Sequence, residues 1–215
     1  LSKIILSKSF LKVISIELSN SLSKFIFSST AAVYGLPKYN PIDEFHSLDP
    51  ENYYGFSKLV LENNLMWFSR LAKIRSISLR YFNAAGYDLN KRVRGLENNP
   101  QNLIPIVMES AIGIRSKIDI YGGDYNTKDG TGVRDYIHVS DLAKGHIDSI
   151  NYILQNNESL TINLGTEAGY SVLDIINKTS EISNQKICYN IVDRRDGDSA
   201  KVVANTKLAK QLIGW

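Results

Sequence analysis

The sequence predicts an α/β protein: part of a Rossmann-like, doubly wound parallel sheet and a smaller α/β lobe. Short apolar runs typical of strands covered on both faces, residues 24–29 and 75–82, alternate with helical periodicity at residues 53–70. Later strands are shorter and separated by longer loops, which indicates a second lobe. We therefore assign residues 1–84 to the second half of a Rossmann domain. Residues 85–215 are assigned mainly to a substrate-binding lobe, with possible returns of the chain to the Rossmann domain.

The remaining elements follow from apolar spacing and turn residues. Residues 4–18 have helical spacing, and Asp49-Pro50 forms a turn ahead of the helix at residues 53–70. After a polar loop, helices are predicted at residues 103–115, after Ser140-Asp141, at residues 172–182 and near Leu208. Strands are predicted at residues 118–121, 160–164 and 187–192.

Composition excludes several classes of protein. The 215 residues are 43% hydrophobic and 22% charged, as in an ordinary globular protein. The 25 Lys and Arg residues are interspersed with 22 Asp and Glu, so no nucleic-acid-binding face is expected. Charges interrupt residues 1–27, so this segment is not expected to span a membrane. The chain lacks an initiator Met and ends on a predicted helix, so we interpret both ends as truncations.

The single cysteine and the three histidines give no sign of a metal site. Cys188 has no partner for a disulfide or a C-x-x-C motif, which favours a reducing, cytoplasmic setting. Because it lies in a predicted strand, we expect it to be a small core residue. The histidines, His46, His138 and His146, lack the spacing of zinc ligands, and His138 is expected to be structural.

Tyr54 and Lys58 are the first candidates for catalysis. They are one helical turn apart, so both side chains project from the same face. A free phenol is a poor base at neutral pH, and a neighbouring ammonium stabilises the phenolate form. A tyrosine assisted in this way can remove a proton from an alcohol. Since both residue types are common on helix surfaces, the pair alone leaves open an exposed pair with no role.

Hydroxyl side chains stand at the end of the strand that precedes this helix. Ser28, Ser29 and Thr30 belong to the stretch FIFSSTAAVYG, at the carboxyl edge of the predicted parallel sheet. Ligands of such sheets bind at this edge. Thr30 is therefore a candidate for substrate contact, and a local turn or helix cap is the alternative interpretation.

Further stretches follow in the order YYGFSK, LRYFNAAGY, QNLIP, DGTGVRDYIHVSDLA, INLGTEAGYSVLD and RRDGD. With them the sequence resembles the extended short-chain dehydrogenase/reductase family, and within it the UDP-hexose 4-epimerases, from about Lys24 to the end. DGTGVRDYIHV is the most specific stretch. The resemblance implies tightly held NAD, interconversion of UDP-glucose and UDP-galactose through a 4-keto sugar in galactose metabolism, and a homodimer at full length.

The resemblance also implies roles for individual residues. Tyr54 is the acid/base, Lys58 its electrostatic partner, and Thr30 the hydroxyl that contacts the reacting oxygen. The implied cofactor-binding residues are Ser28, Tyr54, Lys58, Tyr81 and Phe82. The implied substrate-binding residues are Thr30, Asn83, Asn102, Leu103, Tyr121, Arg134, Arg195 and Asp198. Arginine's planar fork suits a diphosphate, whereas a solvated surface charge is the alternative interpretation of the two arginines.

The chain departs from this family at three points. It has no G-x-x-G-x-x-G loop for the cofactor pyrophosphate, so we expect this chain by itself to bind NAD poorly and to be nearly inactive. Ala31-Ala32 stands where dehydratases of the family carry Asp-Glu, which disfavours elimination. Val202 stands where members often carry tyrosine or cysteine, which predicts room for N-acetylated sugars. The alternatives are another nucleotide-sugar enzyme of this family and an inactive nucleotide-sugar-binding fragment.

Overall fold

The computed structural model describes residues 23–71, 74–92 and 98–215. The helix predicted at residues 4–18 lies outside these ranges. The strands are β1 (Ser23–Thr30), β2 (Ile74–Tyr81), β3 (Asn83–Ala85), β4 (Ile118–Tyr121), β5 (Val133–His138), β6 (Leu160–Leu164), β7 (Gly169–Ser171), β8 (Tyr189–Val192) and β9 (Lys201–Val202). The helices are α1 (Tyr53–Arg70), α2 (Leu103–Ala111), α3 (Val139–Asn156), α4 (Val172–Ser183), α5 (Lys207–Ile213) and a 3₁₀ helix (Ala31–Tyr34). None of these described helices is long and apolar enough to cross a membrane.

The first sheet contains three parallel strands in the order β1-β2-β6. Thr30 at the end of β1 pairs with Tyr81 at the end of β2, and Tyr81 pairs with Leu164 at the end of β6. The carboxyl ends of the three strands therefore meet at one edge. Helices packed on a parallel sheet confirm the α/β class predicted from the sequence.

The two faces of this sheet differ in polarity because successive strand residues point to opposite faces. One face contributes to an apolar core with α3 and α5, made of Ile77, Leu79, Ile137, Leu142, Ile153, Ile162, Leu164 and Ala209. The other face, towards α1, carries three buried polar residues of β2, Ser76, Ser78 and Arg80. The helix that carries Tyr54 and Lys58 thus lies on the polar face.

The second group of elements is built from shorter strands. β3 pairs in parallel with β5, β7 pairs antiparallel with β5, and β9 pairs in parallel with β5. β4 and β8 form a separate parallel pair. These two strands and helices α2 and α4 enclose a core of Val107, Ile118, Ile120, Ile176 and Ile187. Strand β4 of this pair borders the cleft described below.

The structure corrects several expectations. The helix predicted to reach residue 115 ends at Ala111, and Gly113 takes a left-handed φ of +79° just beyond it. The strands β3, β5, β7 and β9 were not predicted. The prediction that Cys188 is a core residue is wrong, since Cys188 is exposed just before β8. Its neighbour Ile187 is the buried member of the pair.

Candidate active site

Thr30 lies at the carboxyl edge of the first sheet and is largely buried. The Thr30 Oγ1 atom accepts a hydrogen bond from the Ala32 amide at 3.2 Å, as the cap of the 3₁₀ helix. The cap that the sequence left as an alternative therefore exists. A hydroxyl that accepts one bond still has a proton to donate. Capping and substrate contact are consequently compatible at Thr30.

Tyr54 and Lys58 lie together at the start of α1. Asn52 begins the helix, since its Oδ1 accepts a bond from the Gly55 amide at 2.9 Å. The Lys58 Nζ atom lies 5.6 Å from the centre of the Tyr54 ring and donates to the Ser28 carbonyl oxygen at 2.8 Å. Partial burial lowers the pKa of Lys58. The two side chains that the sequence placed on one helical face thus share one end of the sheet.

Gly55 allows α1 to approach the 3₁₀ helix closely. A Cβ atom at this position would lie 2.5 Å from the Ala32 carbonyl oxygen and 2.9 Å from the Pro50 Cβ. The backbone beside Tyr54 is therefore in contact with the segment that follows Thr30. Gly55 thus allows the start of α1, which carries Tyr54, to pack against the segment that follows Thr30.

Ser28 connects Lys58 with α3. The Ser28 Oγ atom lies 3.1 Å from His146 Nε2, and His146 Nδ1 lies 2.8 Å from the Leu142 carbonyl oxygen. A carbonyl can only accept, so we assign the imidazole proton to Nδ1, and Nε2 then accepts from the Ser28 hydroxyl. His146, which has no zinc-ligand spacing, is thus a partner of a proposed cofactor-binding residue.

Two adjoining cavities, together called the cleft here, share the residues Asn83, Arg134 and Asp198. The smaller one, of about 230 Å³, is bordered by Thr30, Tyr81, Phe82 and Val202. Tyr54 is 53% exposed and does not line this smaller cavity, although residues 51–52, just before α1, do. The larger one, of about 380 Å³, is bordered by Asn102, Leu103, Tyr121 and Arg195. The cleft therefore reaches from the Thr30 edge to strand β4.

Charged and aromatic groups line the junction and the far end of the cleft. Arg134 Nη1 donates to the Ser199 carbonyl at 2.9 Å, and its Nη2 lies 3.3 Å from Asp198 Oδ1. The Arg195 guanidinium lies over the Tyr121 ring, 3.6 Å from its centre. Such a stack fixes the cation while leaving its edge free to bind an anion. The structure therefore places two arginines along a groove of suitable size for a nucleotide.

The remaining predicted substrate residues also border the cleft. Asn83 begins β3 and lines both cavities. Asn102 precedes α2, and its side chain makes no cap bond within the described residues. Leu103 is the first residue of that helix. Every predicted substrate-binding residue thus lines the cleft.

Sequence reasoning missed several lining residues. Tyr136 borders the larger cavity two residues after Arg134, and burial raises its pKa to about 12, so it is a neutral hydroxyl at pH 7. Arg115 and Lys117 add positive charge at the same cavity. Arg134, Tyr136 and His138 alternate along the chain, as residues on one face of a strand do. This signal for a lining residue became informative only once β5 was recognised as a strand. The described residues contain no cluster of His, Cys, Asp or Glu able to hold a metal ion.

The class of the protein follows from a sequence match, since residues 7–215 match the family model described as GDP-mannose 4,6 dehydratase. The chain belongs to that family. It is 40% identical over 205 residues to the UDP-glucose 4-epimerase of Rhizobium leguminosarum bv. trifolii, covering 95% of this chain and 63% of that protein. This likeness agrees with the resemblance noted from the motifs.

Solved structures show the same likeness. The UDP-glucose 4-epimerase of Stenotrophomonas maltophila, with bound NAD and formylated UDP-arabinopyranose, superposes with a TM-score of 0.87 at 37% identity, over 90% of this chain and 58% of that one. The enzyme from Bifidobacterium longum, in complex with NAD⁺ and UDP, gives a TM-score of 0.82 at 42% identity, with 90% and 58% covered. The chain thus spans about 60% of the length of the proteins it matches.

Proposed function

We propose that the chain forms the catalytic and UDP-sugar-binding part of an NAD-dependent UDP-hexose 4-epimerase. The observation that carries this proposal is the Tyr54–Lys58 pair at the start of α1, packed against the Thr30 segment where the cleft begins. The cleft continues past Arg134 to Arg195 and Tyr121. The cleft can therefore hold one molecule that carries a reactive alcohol at one end and a diphosphate at the other.

The residues present fit the nicotinamide end of NAD. Lys58 uses one of three ammonium donors on the Ser28 carbonyl, which leaves two for the hydroxyl groups of a ribose. Tyr81 and Phe82 stand at the same edge of the sheet, where a flat ring can stack. When bound, NAD supplies a hydride acceptor and donor for the sugar C4. The backbone loop that would hold its pyrophosphate does not occur in these 215 residues.

Three side chains of this chain move or hold the proton. Lys58 stabilises the phenolate of Tyr54, which then removes the proton from the sugar 4-hydroxyl. Thr30, whose oxygen accepts from the Ala32 amide, keeps its own proton and donates a hydrogen bond to the same sugar oxygen as the C4 carbonyl forms. After the 4-keto sugar turns over in the cleft, Tyr54 returns its proton to the oxygen. The net reaction is an inversion at C4.

The other half of the cleft holds the UDP group. Arg134 and Arg195 pair with the diphosphate, and Asp198 lies where it can accept from a ribose hydroxyl. Tyr121 lies beneath Arg195 at the end of β4 and offers a surface for the base. Asn83, at the junction of the two cavities, is available to the sugar hydroxyls. This end binds without reacting, and so keeps the sugar attached while it turns.

The proposed function is tested with the full-length polypeptide and NAD, using a coupled assay of UDP-galactose conversion. We expect turnover by the wild type and a loss of about 10²- to 10⁴-fold in Tyr54→Phe, which removes the proton-transfer group. Tyr53→Phe, at an 83% exposed neighbour, is the matched control. An inactive wild type, or equal activity of Tyr54→Phe and wild type, would refute the proposal.

A second measurement concerns the 215-residue chain alone. Since it lacks the glycine-rich loop, we expect it to retain little NAD on purification and to show little turnover. Stoichiometric NAD in the purified chain, measured by absorbance after denaturation, would contradict this expectation.

We further propose a homodimer at full length, in the cytoplasm. Support comes from the exposed apolar side chains of α1, Tyr53, Phe56, Val60, Met66, Trp67 and Phe68. An apolar patch of this kind is typical of an interface. Light scattering of wild type and of Trp67→Glu tests it, and a monomeric wild type would refute it. The exposed thiol of Cys188 agrees with a reducing setting.

A further inference from the structure

Helix α1 is held on its sheet by polar contacts in addition to apolar ones. Lys58 lies over the buried ring of Phe27, and Leu59 packs against an apolar cluster that includes Val33. The buried residues of α1 are Gly55 and Glu62. The face of β2 beneath it presents Ser76, Ser78 and Arg80, whereas the buried apolar residues Ile77 and Leu79 point to the opposite face. Apolar contact has no preferred direction, whereas hydrogen bonds do. The hydrogen bonds on its buried polar side therefore add a directional constraint to the position of α1.

Glu62 and Arg80 form the centre of this contact. Arg80 Nη2 lies 2.5 Å from Glu62 Oε2, and Arg80 Nε lies 3.0 Å from Oε1, so the pair is bidentate. The Ser29 hydroxyl donates to the same carboxylate. Glu62 is 7% exposed and Arg80 is 5% exposed. The pair consequently ties α1 to both β1 and β2 in one geometry.

The same guanidinium reaches the segment that follows Thr30. Arg80 Nη1 donates to the Tyr34 hydroxyl at 3.1 Å, and that hydroxyl donates to Asn163 Oδ1 at 2.6 Å. Tyr34 ends the 3₁₀ helix that Thr30 caps. Burial raises the pKa of Tyr34 to about 12, so the hydroxyl keeps its proton. Arg80 therefore joins α1 to the 3₁₀ helix.

Spacing relates this network to the proposed chemistry. Glu62 is one helical turn beyond Lys58 and two beyond Tyr54, on the same side of α1. Tyr34 is one turn of chain beyond Thr30. We propose that the Glu62–Arg80 pair is a positioning device that sets Tyr54 and Lys58 against Thr30. This inference rests on the proposed function and extends it to two residues outside the cleft.

A double substitution separates positioning from folding. Removing one partner of a buried pair leaves an uncompensated charge, whereas two apolar residues of similar size often keep the fold stable. Glu62→Met combined with Arg80→Met should therefore fold while losing the bonds to Ser29 and Tyr34. The matched control is Lys144→Met with Asp148→Met, a surface pair on α3.

The first readout is kinetic, in the full-length polypeptide with NAD. We expect kcat with UDP-galactose to fall about 10- to 100-fold in the double variant, since displacement by about 1 Å costs this much. KM should stay near the wild-type value, because the UDP end of the cleft is untouched. The single variant Arg80→Lys should also have a kcat below that of the wild type, since lysine cannot bind the Glu62 carboxylate bidentately. Unchanged kcat in a folded double variant, or a kcat that falls only with the folded fraction, would overturn the proposal.

The second readout does not depend on activity. A crystal structure of the double variant of the 215-residue chain should show the fold retained and the Tyr54 side chain displaced relative to Thr30. An unmoved pair would overturn the positioning role even if the wild type proved inactive. An inactive wild type with a displaced Tyr54 would instead refute only the proposed function.

Discussion

Gly55→Ala should destabilise the chain although it replaces glycine within a helix. Alanine is favoured over glycine in a helix interior by about 1 kcal/mol. At Gly55, however, the new methyl would lie 2.5 Å from the Ala32 carbonyl oxygen and 2.9 Å from the Pro50 Cβ. Both neighbours are constrained, one by the backbone and the other by a ring. The methyl can be accommodated only if α1 moves away from the 3₁₀ helix.

The sign of the effect follows from two magnitudes. Forcing a methyl into a filled space costs about 1–3 kcal/mol, against about 1 kcal/mol gained from helix propensity. We therefore expect Gly55→Ala to lower the free energy of unfolding by about 1 kcal/mol. Gly145→Ala in α3 is the matched control, since its methyl would meet side-chain atoms of Trp215 and Leu164 at 2.8 and 3.0 Å. Side chains move more easily than backbone, so the control should lose less stability.

Urea denaturation of the 215-residue chain, followed by circular dichroism, measures both variants against the wild type. The midpoint should shift down for Gly55→Ala and shift less for Gly145→Ala. In the full-length polypeptide, Gly55→Ala should also reduce turnover, because Tyr54 moves with α1. A Gly55→Ala chain that is stabilised by about 1 kcal/mol, as helix propensity alone predicts, would show that α1 does not contact Ala32 this closely.

Three further predictions concern other parts of the molecule. Hydrogen bonds from Lys210 and Thr206 lower the pKa of Glu167 to about 2, so it stabilises the fold above its unfolded value of about 4.3, and this contribution is lost as pH falls towards 2. Glu167→Gln should lower the free energy of unfolding by about 1 kcal/mol at pH 7, after allowance for solvent screening. The difference in melting temperature between variant and wild type should vanish near pH 2, and a difference that stays constant with pH would contradict this. Arg195→Gln should weaken UDP binding about 10- to 100-fold by calorimetry, whereas Arg194→Gln, whose cation pairs with Asp124, should not; equal losses would refute the assignment. Val202→Tyr should reduce turnover of UDP-N-acetylgalactosamine relative to UDP-galactose, since Val202 borders the smaller cavity; an unchanged ratio would exclude a steric role.

Local signals were sufficient for the elements that depend on them. Helix α1 spans Tyr53–Arg70, as predicted, because Asn52 caps it directly after the Asp49-Pro50 turn. The strands β4 and β6 also have the predicted bounds, since each is a short apolar run between polar segments. The pairing of Tyr54 with Lys58 follows from helix geometry alone. These features are encoded within a few residues of chain.

Strand β5 was missed because one of its two buried residues is a charged side chain. Its buried members are Asp135 and Ile137. Asp135 is fully buried and accepts bonds from the Thr166 and Ala204 amides at 2.9 and 3.1 Å. Hydrogen bonds from distant segments compensate for its desolvation. Apolar periodicity is silent about such a residue, so the strand resembles a loop in the sequence.

Contacts between residues far apart in the chain could not be predicted from local sequence patterns either. Ser28 and His146 are 118 positions apart, and no periodicity relates them. Glu62 and Arg80 lie on neighbouring elements, and a charged residue in a predicted strand carries no sign of its partner. Sequence patterns thus indicated the proposed reacting groups but not the contacts that hold them. Such contacts require the tertiary fold.

The polarity of the first sheet explains why the contacts missed from the sequence lie at the proposed active site. Its α3 face is an apolar core that tolerates small shifts of packing, as cores of matched volume do. Its α1 face carries the bidentate Glu62–Arg80 pair, whose hydrogen bonds are directional, unlike apolar contacts. The proposed proton transfer between Tyr54 and a sugar oxygen requires an accurately placed helix, whereas the core requires only filled volume. On the proposed mechanism, the reaction geometry therefore depends on the buried charges of the polar face, and substitutions there should change kcat before they change the fold.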